Sequence, residues 1–217
     1  TEILYNELKP EITLREELGK QYKLDLRSKS DAQIAEAVFA SEIRNTTGFR
    51  ASRPVIPPGL VFKYRMPAFI KYMSPTLQHV ASEVASARFV VAESGSVVTP
   101  LGVAFTSIYK RIVDTRLAAK HAGNKLVSET LKIVINGSFG KLGSKWSILY
   151  SPDLLIQVTL TGQLALLYLI EKLEMVGINV VSANTDGIVI HNQHTRRAQA
   201  DAVIAEWERE TNFETDE

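Results

Sequence analysis

The feature that most constrains this chain is the run from Leu154 to Val176, in which apolar residues occupy nearly every direction around a helix, closed by Gly177. A helix over 154 to 175 that is apolar all round has to be covered by other elements, so the pattern predicts a buried helix at the back of a packed core. Gln157, Gln163, Glu171, Lys172 and Glu174 interrupt the run, and a bilayer-spanning segment does not carry such groups freely. No membrane partner is expected on this ground. Directly after it, Ile178 to Ala183 and Ile188 to His191 are β-rich runs joined by Asn184-Thr185-Asp186-Gly187, and Asp-Gly between such runs is a strong hairpin signal.

The rest of the 217 residues can be placed around this unit. Ser30 with Gln33 three positions on forms a capping box, predicting a short helix to about Arg44 behind another short helix nearer the start. Pro54, Pro57 and Pro58 make Arg50 to Gly59 an extended linker. Residues Arg88 to Ala92 and Val97-Val98, about the turn Glu93-Ser94-Gly95-Ser96, predict a hairpin. From Leu101 the periodicity is helical to about His121, breaks at Gly123-Asn124, and resumes to about Ser138, an antiparallel helix pair. A short strand is expected at Ser147 to Tyr150, and a last helix over Thr195 to Glu210.

With 25 basic and 24 acidic residues the net charge is +1, so any phosphate-binding surface has to be local. There is no cysteine, which excludes disulfides and thiolate metal sites. The sequence begins at Thr1 without a secretory leader pattern and reads as a piece of a longer polypeptide. Asn-X-Ser/Thr patterns at Asn45 and Asn136 are short enough to arise by chance.

Three places carry chemistry. Taking about 100° per residue, Arg116 and Lys120 fall between the apolar directions of Ile112 and Val113. Long cationic side chains can snorkel from an apolar stripe, but two of them one turn apart also suit an anion such as a triphosphate. On the next helix Lys125, Ser128, Lys132, Asn136 and Phe139 lie within about 80° of one another. That stripe is either a solvated face with a stray ring or a surface for something flat, and Gly137 and Gly140 beside Phe139 favour close approach to the backbone. Asp186 is either a turn former or a carboxylate presented to a hard divalent cation such as magnesium.

Taken in order, these pieces resemble family B DNA polymerases, and among them the polymerases of tailed bacteriophages. Lys132-Ile133-Val134-Ile135-Asn136-Gly137-Ser138-Phe139-Gly140 is similar to the family's Lys-x-x-x-Asn-Ser-x-Tyr-Gly motif, with Gly for Ser and Phe for Tyr. Asn184-Thr185-Asp186-Gly187 is similar to the family's Asp-Thr-Asp-Ser motif, with Asn for the first Asp. The resemblance covers Leu101 to Glu217 well and earlier residues weakly, through Ser28 to Asp31 and Phe89 to Pro100. It implies that Arg116, Lys120 and Lys132 hold the triphosphate of an incoming deoxynucleotide, that Asn136, Phe139 and Gly140 lie at the nascent base pair, and that Asp186 is both catalytic and a ligand to Mg2+, two ions being used by the complete enzyme. The implied partners are primer-template DNA, dNTPs and replication accessory proteins, and the implied location is the cytoplasm of an infected host cell.

One part of the family's pattern is absent: an Asp followed closely by Leu-Tyr-Pro, since no Tyr-Pro pair occurs anywhere in the chain. A segment is therefore expected to be missing near Pro100 to Leu101, which would leave the chain inactive as a polymerase and make it a catalytically incomplete nucleotide- or nucleic-acid-binding module. A palm-type reverse transcriptase or RNA polymerase would want paired Asp-Asp at the hairpin. The expected fold is α/β (α+β), an antiparallel palm sheet backed by helices with a helix-pair fingers subdomain: a connecting segment at 1–58, palm at 59–100, fingers at 101–145, and palm with the Asp186 hairpin at 146–217.

Overall fold

The computed structural model of the chain describes residues 2–54, 56–91, 102–191 and 194–215. The turn at Glu93 to Ser96 with Val97-Val98, and the Pro100 to Leu101 junction, lie outside the described residues. The fold is mixed α and β, with helices predominating and two small antiparallel sheets of two strands each. It divides into two compact units, each assembled from two stretches of sequence.

The first unit comprises Thr1–Leu60 and Val91–Pro152. Its helices are α1 (Glu2–Tyr22), α2 (Asp31–Thr47), α4 (Gly102–His121) and α5 (Lys125–Leu142). Helix α1 is 21 residues long and runs through Pro10, so it is not the short element expected. Helix α2 opens on the capping box at Ser30 and Gln33 and closes at Gly48, whose φ of 75° only glycine adopts readily. Its buried residues, Ile34, Ala35, Val38 and Phe39, recur at helical spacing. Phe39 meets Phe105 of α4 at a ring-centroid distance of 5.0 Å, within the range of favourable aromatic pairing. Helix α5 packs against α1, α2 and α4. At Gly137 its backbone comes so close to α2 that a Cβ would stand 2.5 Å from the Asp31 carbonyl oxygen. Gly137 thus serves helix packing and not the approach of an external object, which corrects half of the glycine argument made from sequence. The helix also continues past Ser138 to Leu142.

Ser147 to Tyr150 do not form a strand. They are turns, with the Ser147 N–H on the Ser144 carbonyl at 2.9 Å and the Tyr150 N–H on that of Ser147 at 3.3 Å. The reason is a distant partner: the Ile148 N–H, which a strand would give to a neighbouring strand, is taken by the Glu36 carboxylate of α2 at 2.9 Å.

The second unit comprises Val61–Val90 and Asp153–Glu217. It holds β1 (Val61–Lys63), α3 (Pro75–Ser86), β2 (Arg88–Val90), α6 (Pro152–Met175), β3 (Asn179–Ala183), β4 (Ile188–His191), a 3-10 turn at His194–Arg196 and α7 (Arg197–Thr211). Strand β2 pairs antiparallel with β1, Phe89 opposite Phe62. Strands β3 and β4 form the anticipated hairpin, with an irregularity between Val180 and Ser182.

The core of this unit gathers Tyr64, Tyr72, Leu164, Tyr168, Leu173, Ile178, Val203 and Trp207, among others. Helix α6 is its spine, but it is buried along one face and half-buried elsewhere, with Val158 50% exposed. Apolarity on all sides therefore did not translate into burial on all sides. By length and composition the helix could cross a bilayer. Its polar groups are nevertheless tied to its own unit: Gln157 exchanges two hydrogen bonds with the Arg65 backbone, and Glu171 accepts the Met73 and Ser74 N–H groups at 2.9 and 2.8 Å.

Candidate functional site

Helices α4 and α5 are joined by three residues around Gly123, so they run antiparallel side by side. Arg116 stands seven residues before Gly123 and Lys132 nine after it. At a rise of about 1.5 Å per residue this places the two within roughly 3 Å of one another along the axis of the pair.

Arg116 lies among the inward-facing residues Phe105, Ile112 and Ala119 of α4, all buried. It is itself half-buried, and its Nε is fully covered yet has no hydrogen-bond partner. A covered N–H left without an acceptor costs about 1 to 3 kcal/mol, more when charged, so the fold alone gives no reason to hold a guanidinium there. Lys120 is one turn further on and exposed.

Along α5, Lys132, Asn136, Phe139 and Gly140 are all exposed and follow one another at helical spacing. Phe139 is 42% exposed, and a Cβ on Gly140 would meet nothing within 4 Å, so the backbone at this point is open. Lys132 is only loosely paired, 4.0 Å from Glu129 one turn earlier. Ser128, placed on the same stripe by angle alone, is buried and does not belong to the exposed face. The face thus offers a cation, an amide, a ring and bare backbone, a combination suited to a phosphate and a flat base.

Asp186 belongs to the other unit, at the tip of the β3–β4 hairpin, and is exposed. The turn is held without its carboxylate: Asn184 Oδ1 accepts the N–H groups of Asp186 and Gly187 at 3.1 and 2.7 Å, and the Asn184 N–H reaches the Gly187 carbonyl at 2.9 Å. Asn184, where the resembled motif has Asp, is therefore spent on the turn, and Asp186 is left to point outward. Magnesium takes one or two protein carboxylates and completes its shell with phosphates and water, and Asp186 offers one such carboxylate. Among the described residues no group of three His, Asp or Glu side chains is gathered at one point.

Beneath the hairpin is a cavity of about 950 Å³, lined by residues of α6, α7 and the hairpin, including Leu169, Ile190, Trp207 and Asp186.

A further surface of the first unit was not anticipated from sequence. Trp146 is 72% exposed, with the Arg53 guanidinium carbon 5.1 Å and the Lys145 Nζ 5.7 Å from its ring centroid. Its loop is anchored by Glu36, which also pairs with Lys141 at 2.7 Å. Burial pushes the Glu36 carboxyl up, but hydrogen bonds from Lys141 and the Ile148 N–H outweigh it and hold the group below its ordinary value. The available signal was a tryptophan next to a lysine in a glycine- and serine-rich loop, which has no periodicity to read.

No protein-family model matches the sequence, and no curated protein matches it. Seventeen chains of solved structures do match. One is the family B DNA polymerase from the hyperthermophilic archaeon Pyrobaculum calidifontis, with a TM-score of 0.59 and 16% sequence identity, over 97% of this chain and 32% of that one. The chain therefore spans about a third of that polymerase. At this identity the likeness is one of fold: the chain is folded as part of a family B DNA polymerase is, and the archaeal relative does not speak to a bacteriophage type.

Proposed function

We propose that this chain is the fingers and part of the palm of a DNA polymerase of bacteriophage type, acting in viral DNA replication in the cytoplasm of an infected cell. The observation that carries the reading is the antiparallel pair α4–α5, with a half-buried Arg116 whose Nε is covered and without a hydrogen-bond partner on one helix, and an exposed stripe of Lys132, Asn136, Phe139 and Gly140 on the other. The fold likeness supports it. Arg116, Lys120 and Lys132 neutralise the triphosphate of a dNTP, and a charge-assisted contact of this kind strengthens as negative charge moves toward the leaving group. Phe139 and Asn136 abut the base, with the open backbone at Gly140 admitting its edge. Primer-template DNA is the macromolecular partner, and accessory proteins of replication are further ones.

Asp186 is assigned as catalytic residue and metal ligand. When magnesium is bound, it supplies charge stabilisation at the attacking and leaving oxygens. Asp186 contributes one carboxylate to it, held outward by a turn that does not need that group. A second reading rests on the absent Asp-Leu-Tyr-Pro pattern: the chain as it stands binds nucleotide or nucleic acid without transferring a nucleotide.

The test is the binding of a fluorescent dATP analogue by the 217-residue chain. Lys132→Ala is expected to weaken it about tenfold, the loss of one charge-assisted contact. Lys9→Ala, on α1, is expected to leave it unchanged. Equal affinities of Lys132→Ala and the unsubstituted chain would remove the α5 stripe from the site.

A further inference from the structure

The chain has two tryptophans, and the structure treats them in opposite ways. Trp207 is 5% exposed and its indole N–H is given to the Ala165 carbonyl at 2.9 Å, as a structural tryptophan is expected to be. Trp146 is 72% exposed, and the Arg53 guanidinium and the Lys145 ammonium lie over its ring. Its exposure is not the result of a loose loop. Ser147 and Leu149 on its C-terminal side are buried, the Ile148 N–H is bound by Glu36 at 2.9 Å, and the Ser151 N–H closes back on the Leu142 carbonyl at 2.9 Å. The fold holds the indole outward on a fixed base.

Two cations lie close to the ring. From Arg44 to Leu60, the stretch that supplies Arg53, there are three arginines and no acidic residue. From Thr130 to Pro152, the stretch that supplies Trp146, there are three lysines and again no acidic residue. Lys141 is paired with Glu36 and Lys132 lies near Glu129, so the cations at the ring itself are Arg53 and Lys145. A protein partner docking through one aromatic would want apolar neighbours around it, whereas here the neighbours are cationic heads. An exposed flat ring flanked by cations matches a polymer that alternates flat bases with phosphates.

We infer that Trp146, with Arg53 and Lys145, is a stacking platform for a single-stranded stretch of nucleic acid: an unpaired base stacks on the indole while the two cations meet the adjoining phosphates. The platform is pre-organised, so little ordering entropy is lost when the strand binds. The choice of ligand rests on the polymerase reading above, in which the strand is unpaired template. The site itself is separate from the residues assigned to the triphosphate.

The experiment measures fluorescence anisotropy of a labelled single-stranded oligo(dT) of about twelve nucleotides, a length within the site sizes of such surfaces, with the whole chain. Trp146→Ala is expected to weaken binding about tenfold or more, and Trp146→Phe, which keeps a ring, to weaken it about threefold or less. Arg53→Ala is expected to lower the slope of log affinity against log salt by about 0.7, one phosphate contact. Unchanged affinity in Trp146→Ala overturns the proposal, as does equal binding of an abasic oligomer of the same length, which would reduce the surface to a nonspecific polyanion site. Binding of the fluorescent dATP analogue by Trp146→Ala separates the two readings. Retained nucleotide binding with lost oligo(dT) binding is the expected pattern, whereas loss of nucleotide binding along with oligo(dT) binding would show that Trp146 acts through the fold and not as a strand site. If Lys132→Ala fails to affect the nucleotide while Trp146→Ala still loses oligo(dT), the triphosphate reading falls and the strand site stands.

Discussion

Lys172 on α6 and Lys132 on α5 are both helix-borne lysines with acidic neighbours, yet their surroundings differ in kind. Lys172 is 16% exposed at its side chain, is 3.1 Å from both Glu206 and Glu210 of α7, and lies over the Tyr168 ring at 5.1 Å. Burial lowers its pKa, but the hydrogen bonds it donates to Glu206 and Glu210 outweigh this and raise it. Lys132 is 49% exposed, with one carboxylate 4.0 Å away. The same contrast separates Glu171, whose two oxygens each bind a backbone N–H, from Asp186, whose turn is completed by Asn184 instead. A polar group that the fold uses is tied from several sides. Lys132 and Asp186 are not tied in this way. In this chain the tied groups named here are on α6, and the open ones are on α5 and the β3–β4 hairpin.

The largest difference in stability is expected at Glu171. Replacing it with Leu strips two N–H groups at the start of α3 of their acceptor, and each such loss costs about 1 to 3 kcal/mol, so a destabilisation of about 3 kcal/mol is expected. Denaturant unfolding should show it as a lower midpoint at unchanged slope. A loss below about 1 kcal/mol would mean that water replaces the carboxylate and that Glu171 is no tie at all. A smaller effect separates the two lysines. Lys172→Met is expected to cost about 1 to 2 kcal/mol, because it leaves Glu206 and Glu210 facing each other without a cation, while Lys132→Met should change stability by less than about 0.5 kcal/mol. Equal costs at the two positions would erase the distinction between tied and open groups.

What could be read from sequence was local. The Ser30–Gln33 capping box, the break between α4 and α5, and the Asp-Gly hairpin depend on residues within a few positions of one another, and all three are present. Residues 147 to 150 and the pairing of β2 were misread or incomplete because their partners are remote. Glu36 is 112 positions from Ile148, and Val61–Lys63 is the described partner of Arg88–Val90. Helical periodicity did place Arg116 among inward-facing residues, and it is there that the structure leaves Nε covered and unpartnered. The same angular argument put Ser128 on the exposed stripe, where neighbouring helices bury it. Gly137 was misread because its close neighbour, the Asp31 carbonyl, is on another helix. Trp146 was missed because a loop has no period, and its exposure is set by anchors on either side of it.

The proposal that Arg116 and Lys120 of α4 and Lys132 of α5 hold one triphosphate can be tested directly. The most direct measurement is an NMR titration of the isotope-labelled chain with dATP, following backbone amides and the Arg116 Nε–H, a donor with no acceptor within the fold. Binding of the triphosphate at Arg116 should shift that Nε–H, saturating together with shifts at Lys120, Lys132, Asn136 and Gly140, with little change on α6 or α7. Saturable shifts confined to other parts of the chain, or an Arg116 Nε–H that does not move while dATP binds, would contradict it.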